Sequence, residues 1–441
     1  MLWSVGQGRY PLEMDSQRDG GTDEVVARRL RWAALALAGL TSLASCAEGT
    51  EPPAPAGDGR RGTADGGFDA DGGSEGDAGD RDAASSDGGG GGIGGDGDGD
   101  SNGGDGDGDG GGAGPWRKPL TIQGSQVPVA QTAFPVLVHI TDADLAAHAG
   151  AGGLDIYFQD AGGGTLPFER ESYDAATGTL IAWVKVDLTG DDQDFYVHYG
   201  DGSINERSTP ASVWTGGFAA VYHMDYGGGA GTEADSTSNA NHLSPPMVSS
   251  NPSSVPGKIG DALSFATPNG MLQAPDHDSL DITGALTVSM WVNKSATNPD
   301  YWEALVAKRV PPGENCNYQV SLGDDGAQRD LTFYDGSTIA GTSQTPTAGT
   351  WTHAAVVVDG TACSFYMDGV WFADASSCDL APNSGPLFVG GTDQENDEPF
   401  YGALDEVRIA PVVRSADWLL TEVNSQKSNS TFITVGAAED L

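Results

Sequence analysis

Apolar and polar side chains alternate at every second residue through much of the chain after residue 115, the pattern of strands that bury one face. One such face is formed by Leu180, Ala182, Val184, Val186 and Leu188. Clusters of glycine and aspartate separate these segments and mark turns. Many short strands without a long amphipathic helix predict an all-β fold built of antiparallel sandwiches.

The alternation continues in the second half, where Leu286, Val288, Met290 and Val292 form a further apolar face. Two apolar runs, 365–367 and 370–372, flank an Asp-Gly dipeptide that tolerates positive φ, so we predict a hairpin there. The period then changes after Ser415. Residues 416–423 are expected to form a short helix that covers a sandwich edge.

The first 46 residues have a different pattern. Arginines at 28, 29 and 31 precede an apolar run over 32–43, which is too short to span a bilayer and suits a signal-peptide core. Leu43, Ala44, Ser45 and Cys46 follow, and this run resembles a bacterial lipobox, whose cysteine receives the lipid. We therefore expect a secreted lipoprotein of the outer membrane or cell surface, anchored through Cys46. A plain secretory signal is the alternative.

Residues 47–114 are dominated by glycine and aspartate and hold too few apolar side chains to offset chain entropy, so a disordered acidic tether is predicted. The chain has 21 Lys+Arg against 63 Asp+Glu, a formal net charge of −42. This charge argues against nucleic acid as a partner and against membrane contact other than through the anchor. Two domains are expected to follow, over 115–205 and 206–441.

The first of these domains resembles a bacterial domain of unknown function that precedes laminin-G-like modules and is also fused to TolQ/ExbB-type transport proteins. The blocks that carry the resemblance are 116–122, 134–138, 155–158, 182–186 and 196–200. It implies a β-sandwich and no established activity.

The second domain resembles the concanavalin A-like, laminin-G-like jelly roll. The matching blocks are 221–224, 235–239, 258–265, 286–292, 351–357, 366–369 and 400–409. The resemblance implies two antiparallel sheets packed face to face, with the first and last strands adjacent. It also implies recognition of an extracellular carbohydrate or protein ligand.

Asp405 conflicts with the pattern of the last strand. If alternation is unbroken, Asp405 shares a face with Val407 and Ile409 and needs a partner to stay ionised. Calcium is one candidate partner, because it prefers hard oxygen ligands. The residues predicted to complete this calcium site are Asp235, Asn239 and Asn241. The alternative is that backbone amides or an arginine satisfy Asp405 and that Asp235 closes a local turn.

Cys363 and Cys378 flank the predicted hairpin and are the expected disulfide in an oxidising compartment, which leaves Cys316 outside the pair. Sugar recognition on jelly rolls uses exposed aromatic side chains beside hydrogen-bonding groups. The candidates in or beside predicted loops are Tyr301, Trp302, Tyr334, Trp371 and Tyr401.

A glycoside hydrolase on the same fold is the enzymatic alternative, and it requires paired carboxylates. The Glu-x-Asp-x-x-Glu strand motif of some concanavalin A-like hydrolases does not occur in this chain. The acids of the first domain, interpreted as solvated carboxylates beside turns, are Asp155, Asp160, Glu169 and Glu171. We therefore predict no catalytic residue and a non-catalytic binding or adhesion protein, with an envelope scaffold as a third possibility.

Overall fold

A computed structural model describes residues 115–227, 231–246, 251–265, 270–296, 302–311, 315–323, 330–392 and 398–441. All of them belong to the unit Gly103–Leu441. The predicted signal peptide, Cys46 and the acidic tether lie outside the described residues. Among the residues described, every helix is too short or too polar to cross a bilayer.

The described elements are predominantly strands, numbered here in chain order. Those up to residue 213 are β1 (Trp116–Ile122), β2 (Gln131–Thr141), α1 (Ala143–His148), β3 (Tyr157–Asp160), β4 (Thr165–Leu166), β5 (Phe168–Asp174), β6 (Thr179–Leu188), β7 (Gln193–Tyr199) and α2 (Pro210–Val213). The next are β8 (Ala220–Tyr222), β9 (Ser253–Pro256), β10 (Asp261–Ser264), β11 (Leu272–Ala274), β12 (Leu286–Lys294), β13 (Trp302–Arg309), β14 (Cys316–Gly323), β15 (Leu331–Tyr334) and β16 (Ile339–Ala340). The last are β17 (Thr352–Val358), β18 (Ala362–Met367), β19 (Val370–Ser376), β20 (Leu387–Val389), β21 (Gly402–Ala410), α3 (Ala416–Gln426), β22 (Ile433–Val435) and β23 (Glu439–Asp440).

The strands form two sandwiches of antiparallel sheets, which confirms the predicted all-β fold class. In the first sandwich, β2-β6-β5 packs against β22-β1-β7-β3-β4, with β23 on β1. In the second, β19-β18-β17-β12-β21-β10-β9, with β8 on β21, packs against β11-β20-β13-β14-β15-β16. The pairing of β8 with β21 makes the first and last strands of the jelly roll neighbours.

Local signals in the sequence predicted several elements correctly. Asp368 and Gly369 both have positive φ, 49° and 76°, in the tight turn of the β18–β19 hairpin. The disulfide joins Cys363 to Cys378, whose Cα atoms are 5.9 Å apart. Helix α3 begins at the predicted position, where the Ser415 side chain accepts a hydrogen bond from the Trp418 amide as an N-cap.

The end of the chain returns to the first sandwich instead of staying with the second. Strand β22 pairs with β1, placing Val435 opposite Leu120, and β23 pairs with the start of the same strand. Phe432 is buried among the side chains of the first sandwich. This return covers an edge of β1 that would otherwise present unpaired backbone groups, so the last residues of the segment 206–441 pack with the preceding domain.

A β-bulge in β21 changes which side chains face the core of the second sandwich. The register slips between Ser289 and Trp291 of β12, and Glu406 has a positive φ of 52°. Leu404 and Val407 therefore both join the jelly-roll core. Asp405 does not share a face with Val407 as an unbroken alternation requires, because the extra residue shifts the period.

The two sandwiches are joined by a continuous buried contact. Trp183, on the face of β6 that turns away from the first core, clusters with Trp214, Val221 and Ile259. Helix α3 lies at the same junction, and its Trp418 joins the first apolar core. The outer face of β21 is therefore covered by protein rather than by water.

Candidate functional site

Ionisable side chains fill the centre of this junction, and His223 links the two sandwiches. Its Nε2 lies 3.1 Å from Glu169 Oε2 of β5, and its Nδ1 lies 2.8 Å from Glu406 Oε1 of β21. Burial disfavours the imidazolium, but the carboxylates of Glu406 and Glu169 raise the pKa of His223 well above its usual value. The two carboxylates therefore favour the protonated form of this histidine.

Indole groups hold the two acids of β5 in place. The Nε1 of Trp214 donates to Glu169, whose other oxygen accepts from Ser236 Oγ at 2.7 Å. The Nε1 of Trp183 donates to Glu171 Oε2 at 3.0 Å. Burial raises the pKa of Glu171 to about 8 although the charge of His223 lowers it, and the charge of Glu406 adds a smaller upward effect.

Arg408 is the guanidinium at the centre of the cluster. It donates to Glu406 Oε2 at 2.8 Å and to Glu422 Oε1 of α3 at 2.7 Å. The same group lies over the rings of Trp183 and Trp214, 4.5 and 5.0 Å from their centroids. Burial opposes ionisation of Glu422, but Arg408 and a neighbouring histidine lower its pKa to about 2.

Burial decides what the acids of this cluster can do chemically. The side chains of Glu169, Glu171 and Glu406 are 10%, 3% and 1% exposed, so a polysaccharide chain cannot contact them. Buried charges of this kind are retained only when they are paired or bind a cation. The arrangement therefore suits the exchange of protons or the binding of a cation, and it ties β5 of the first sandwich to β21 and α3.

Three of the acids assigned to solvated surface are in fact buried, so that interpretation was wrong for them. Glu169 and Glu171 belong to the junction cluster, and Asp155 accepts hydrogen bonds from the amides of Gly150 and Gly200. Asp160 does lie in an exposed turn. Acids at alternate positions of a strand are typical of a solvent-exposed face. The sequence of that strand does not show that another domain covers it.

The four predicted calcium ligands do not share one site. Asp405 Oδ2 accepts the amides of Lys258 and Ile259, at 2.7 and 2.9 Å, as the alternative interpretation required. Asp235 accepts the Val221 amide, and Val221 pairs with Arg408, three residues along β21 from Asp405. At a strand rise near 3.3 Å per residue, the Cα atoms of Asp405 and Arg408 are roughly 10 Å apart.

The Asp235 loop is instead organised by hydrogen bonds of its own. The carboxylate of Asp235 accepts from the amides of Thr237 and Asn241, both at 2.9 Å. The side-chain amides of Asn239 and Asn241 donate to the carbonyl of Ala219, at 2.9 and 3.0 Å. These contacts close the loop against β8.

The aromatic candidates for sugar contact are spread over the second sandwich. Trp371 is 52% exposed on β19, an edge strand of the larger sheet. Trp302, Tyr334 and Tyr401 are half-buried, and the first two lie on strands of the other sheet. Tyr301 lies outside the described residues. Within the part of the chain that the structure describes, these aromatic side chains are therefore not gathered on one sheet.

The residues that sequence reasoning missed are His223, Arg408 and Glu422, all at the junction. The residues around each of them have the pattern of an ordinary strand or helix, which gives no sign of a functional site. Glu422 is four residues after Trp418 on α3, which places both on one helical face. That spacing was the available signal, but the partners in this cluster come from segments that are distant in the sequence, as the 183 residues between His223 and Glu406 show.

The fold and the buried junction define a protein of two β-sandwiches whose second domain is a jelly roll. Residues 266–419 match the family model Laminin_G_3, described as the concanavalin A-like lectin/glucanases superfamily. The jelly-roll assignment made from the sequence is thus confirmed for this part of the chain. No curated protein matches the chain.

Among solved structures, the chain is similar to the binding domain of Paraclostridial Mosquitocidal Protein 1, with 16% identity, 47% of this chain and 52% of that chain covered, and a TM-score of 0.38. It is also similar to domain 4 of AbnA, a GH43 extracellular arabinanase from Geobacillus stearothermophilus in complex with arabinotriose, at 21% identity, 47% and 98% coverage and a TM-score of 0.37. A Trypanosoma rangeli sialidase shows 14% identity, 57% and 43% coverage and a TM-score of 0.40. The chain thus spans about half the length of the mosquitocidal binding domain that it matches.

Proposed function

We propose that the protein is a non-catalytic recognition protein whose jelly-roll domain binds carbohydrate. The observation that carries this proposal is the burial of Glu169, Glu171 and Glu406 at the junction, where indoles, a histidine and a guanidinium occupy them. A glycosidase needs two carboxylates flanking a bound sugar in an accessible cleft. The match to a lectin/glucanase family is consistent with sugar as the ligand.

The surface proposed to contact sugar is centred on Trp371. Its ring is half exposed, and its Nε1 donates to Asp374 Oδ1 at 2.8 Å, an oxygen that also accepts from Ser364 Oγ at 2.7 Å. These bonds fix the indole at the surface beside a carboxylate. An apolar ring face can stack on a sugar ring, while a carboxylate accepts hydrogen bonds from sugar hydroxyls.

A glycan array with the full chain tests this proposal, followed by the same measurement on Trp371→Ala. We expect glycan binding by the natural chain and a loss of affinity of roughly tenfold or more in the variant, because a stacking aromatic is typically worth more than 1 kcal/mol at the centre of an interface. Val370→Ala is the matched control, since Val370 is 62% exposed on the adjacent position of β19. It should bind as the natural chain does.

Two results would contradict the proposal. One is an array without any bound glycan, and the other is a Trp371→Ala variant that keeps full affinity. Release of reducing sugar from an array ligand would favour the hydrolase alternative instead.

The cellular address is a further part of the proposal: secretion and lipid anchoring at Cys46, which the lipobox-like run 43–46 supports. Multiple acyl chains on one cysteine hold a protein at a membrane far better than a single chain. Mass spectrometry of the mature N-terminus should find an acylated Cys46. An unmodified terminus at any other residue would refute the anchor.

A further inference from the structure

Three ligand-type atoms from both sandwiches converge at the junction. Glu171 Oε2, His223 Nδ1 and Glu406 Oε1 all lie within 4.8 Å of one another. The histidine nitrogen is 2.8 Å from the Glu406 oxygen and 3.8 Å from the Glu171 oxygen. A zinc ion with bonds of about 2.0 to 2.2 Å holds its tetrahedral ligands about 3.4 Å apart. The observed separations lie on either side of this distance, so small side-chain movements would suffice.

Negative groups outnumber permanent positive ones around these atoms. Glu169, Glu406 and Glu422 contact His223 or Arg408, and Arg408 is shared between two of these acids. The carboxyl groups of Glu171 and Asp405 are buried beside them. Burying carboxylates in excess of cations is costly unless a cation or a proton compensates them.

A second observation points to a missing partner at the same place. Asp405 is 0% exposed, and its Oδ1 accepts no hydrogen bond from the described residues. One tight turn contacts both acids: a Cβ on Gly257 would lie 2.7 Å from Asp405 Oδ2, and a Cβ on Gly260 would lie 2.6 Å from Glu171 Oε1. The unpartnered oxygen therefore belongs to a carboxyl group that packs against the same turn as Glu171.

We propose that Glu171, His223 and Glu406 bind a divalent transition-metal ion, which displaces the proton between His223 Nδ1 and Glu406 and fastens the two sandwiches together. One imidazole with carboxylate oxygens suits zinc or manganese better than calcium, which takes oxygen ligands almost exclusively. Glu169 contacts the other ring nitrogen of His223 and would orient the ligand, as carboxylates do behind metal-bound histidines. The buried, unpartnered Oδ1 of Asp405 adds negative charge beside this site.

The experiment uses the full chain, stripped with a chelator and titrated separately with zinc, manganese and calcium chlorides. Isothermal calorimetry should show one zinc or manganese ion per chain, and saturation should raise the Tm by about 5 °C or more. Glu171→Gln removes a ligand oxygen while keeping the side-chain shape, and it should weaken binding by roughly tenfold or more. Asp160→Asn, at an exposed carboxylate of β3, is the control and should bind the metal ion like the natural chain.

Because His223→Gln could prevent folding, its circular dichroism is measured before its metal binding. Substitution of cobalt for zinc gives a second readout, since visible absorption bands report nitrogen and oxygen ligation directly. Absence of stoichiometric zinc or manganese binding by the folded, stripped chain would overturn the proposal. So would binding of calcium alone, or binding that Glu171→Gln leaves unchanged.

Discussion

Replacing Arg408 by methionine is expected to lower the free energy of unfolding by about 3 to 5 kcal/mol, since it removes one partner from buried ion pairs. The guanidinium bonds to Glu406 and Glu422, both almost fully buried, and lies over the indole of Trp183. Methionine fills much of the same volume but removes the guanidinium that both buried carboxylates contact. In a domain of this size the Tm should fall by roughly 5 to 15 °C.

Thermal and denaturant unfolding of the full chain measure this loss. The double variant Arg408→Met with Glu422→Met is the informative companion, because it removes a charge that the single variant leaves unpaired. Replacing both partners by apolar groups costs less than breaking the pair, so the double variant should recover part of the stability. An unchanged Tm in Arg408→Met would show that the cluster does not stabilise the junction.

The loss of stability at acid pH provides an independent check on the Arg408–Glu422 pair. The pKa of Glu422 is lowered to about 2, below its ordinary value of 4.5. Its contribution is therefore present above pH 4.5 and is lost as the pH falls toward 2, with a size on the order of 3 kcal/mol. Arg408→Met should flatten this part of the pH profile, because the charge that lowers the pKa is gone.

Phe432→Ala is expected to destabilise the chain by about 3 kcal/mol through loss of a buried aromatic side chain. Phe432 is 1% exposed and packs in the first sandwich, and its carbonyl accepts the amide of Gln123 at 2.9 Å. The loss should be accompanied by faster amide hydrogen exchange in β1, because β22 covers one edge of that strand. Mass spectrometry of peptides after deuterium exchange measures the exchange rate in β1.

Val435→Ala provides the matched control, since Val435 is 40% exposed three residues further along the same segment. It should change stability by less than about 1 kcal/mol. If Phe432→Ala left both Tm and exchange in β1 unaltered, the C-terminal segment would not be part of the first sandwich in solution.

Elements whose signals are contained in a few neighbouring residues were predicted well. The β18–β19 turn depends on Asp368 and Gly369, two residues that tolerate positive φ. The N-cap of α3 requires one hydroxyl at Ser415. The alternating core face of β6 is also correct, and Trp183 lies on its opposite face.

Errors arose where an assumption about the surroundings was needed. An unbroken alternation through β21 predicted that Asp405 and Val407 share one face of the strand. The bulge at Glu406 breaks the alternation, so they do not. Glu169 and Glu171 read as surface residues because the covering strand and helix are distant in sequence. The Asp235 loop and Asp405 were assigned to one calcium site only because their strands are adjacent. Adjacency does not determine how far apart two residues lie along the strands.

Periodicity and turn chemistry are local properties, so the residues alone predicted an all-β chain with a hairpin flanked by a disulfide. The jelly-roll domain was implied by the resemblance to the laminin-G-like family. The packed structure was needed to show which acids are buried, that His223 and Arg408 lie among them, and that the C-terminal strands complete the first sandwich. Contacts between distant segments depend on how whole sheets pack against each other, and neither a two-residue period nor a turn dipeptide specifies that packing.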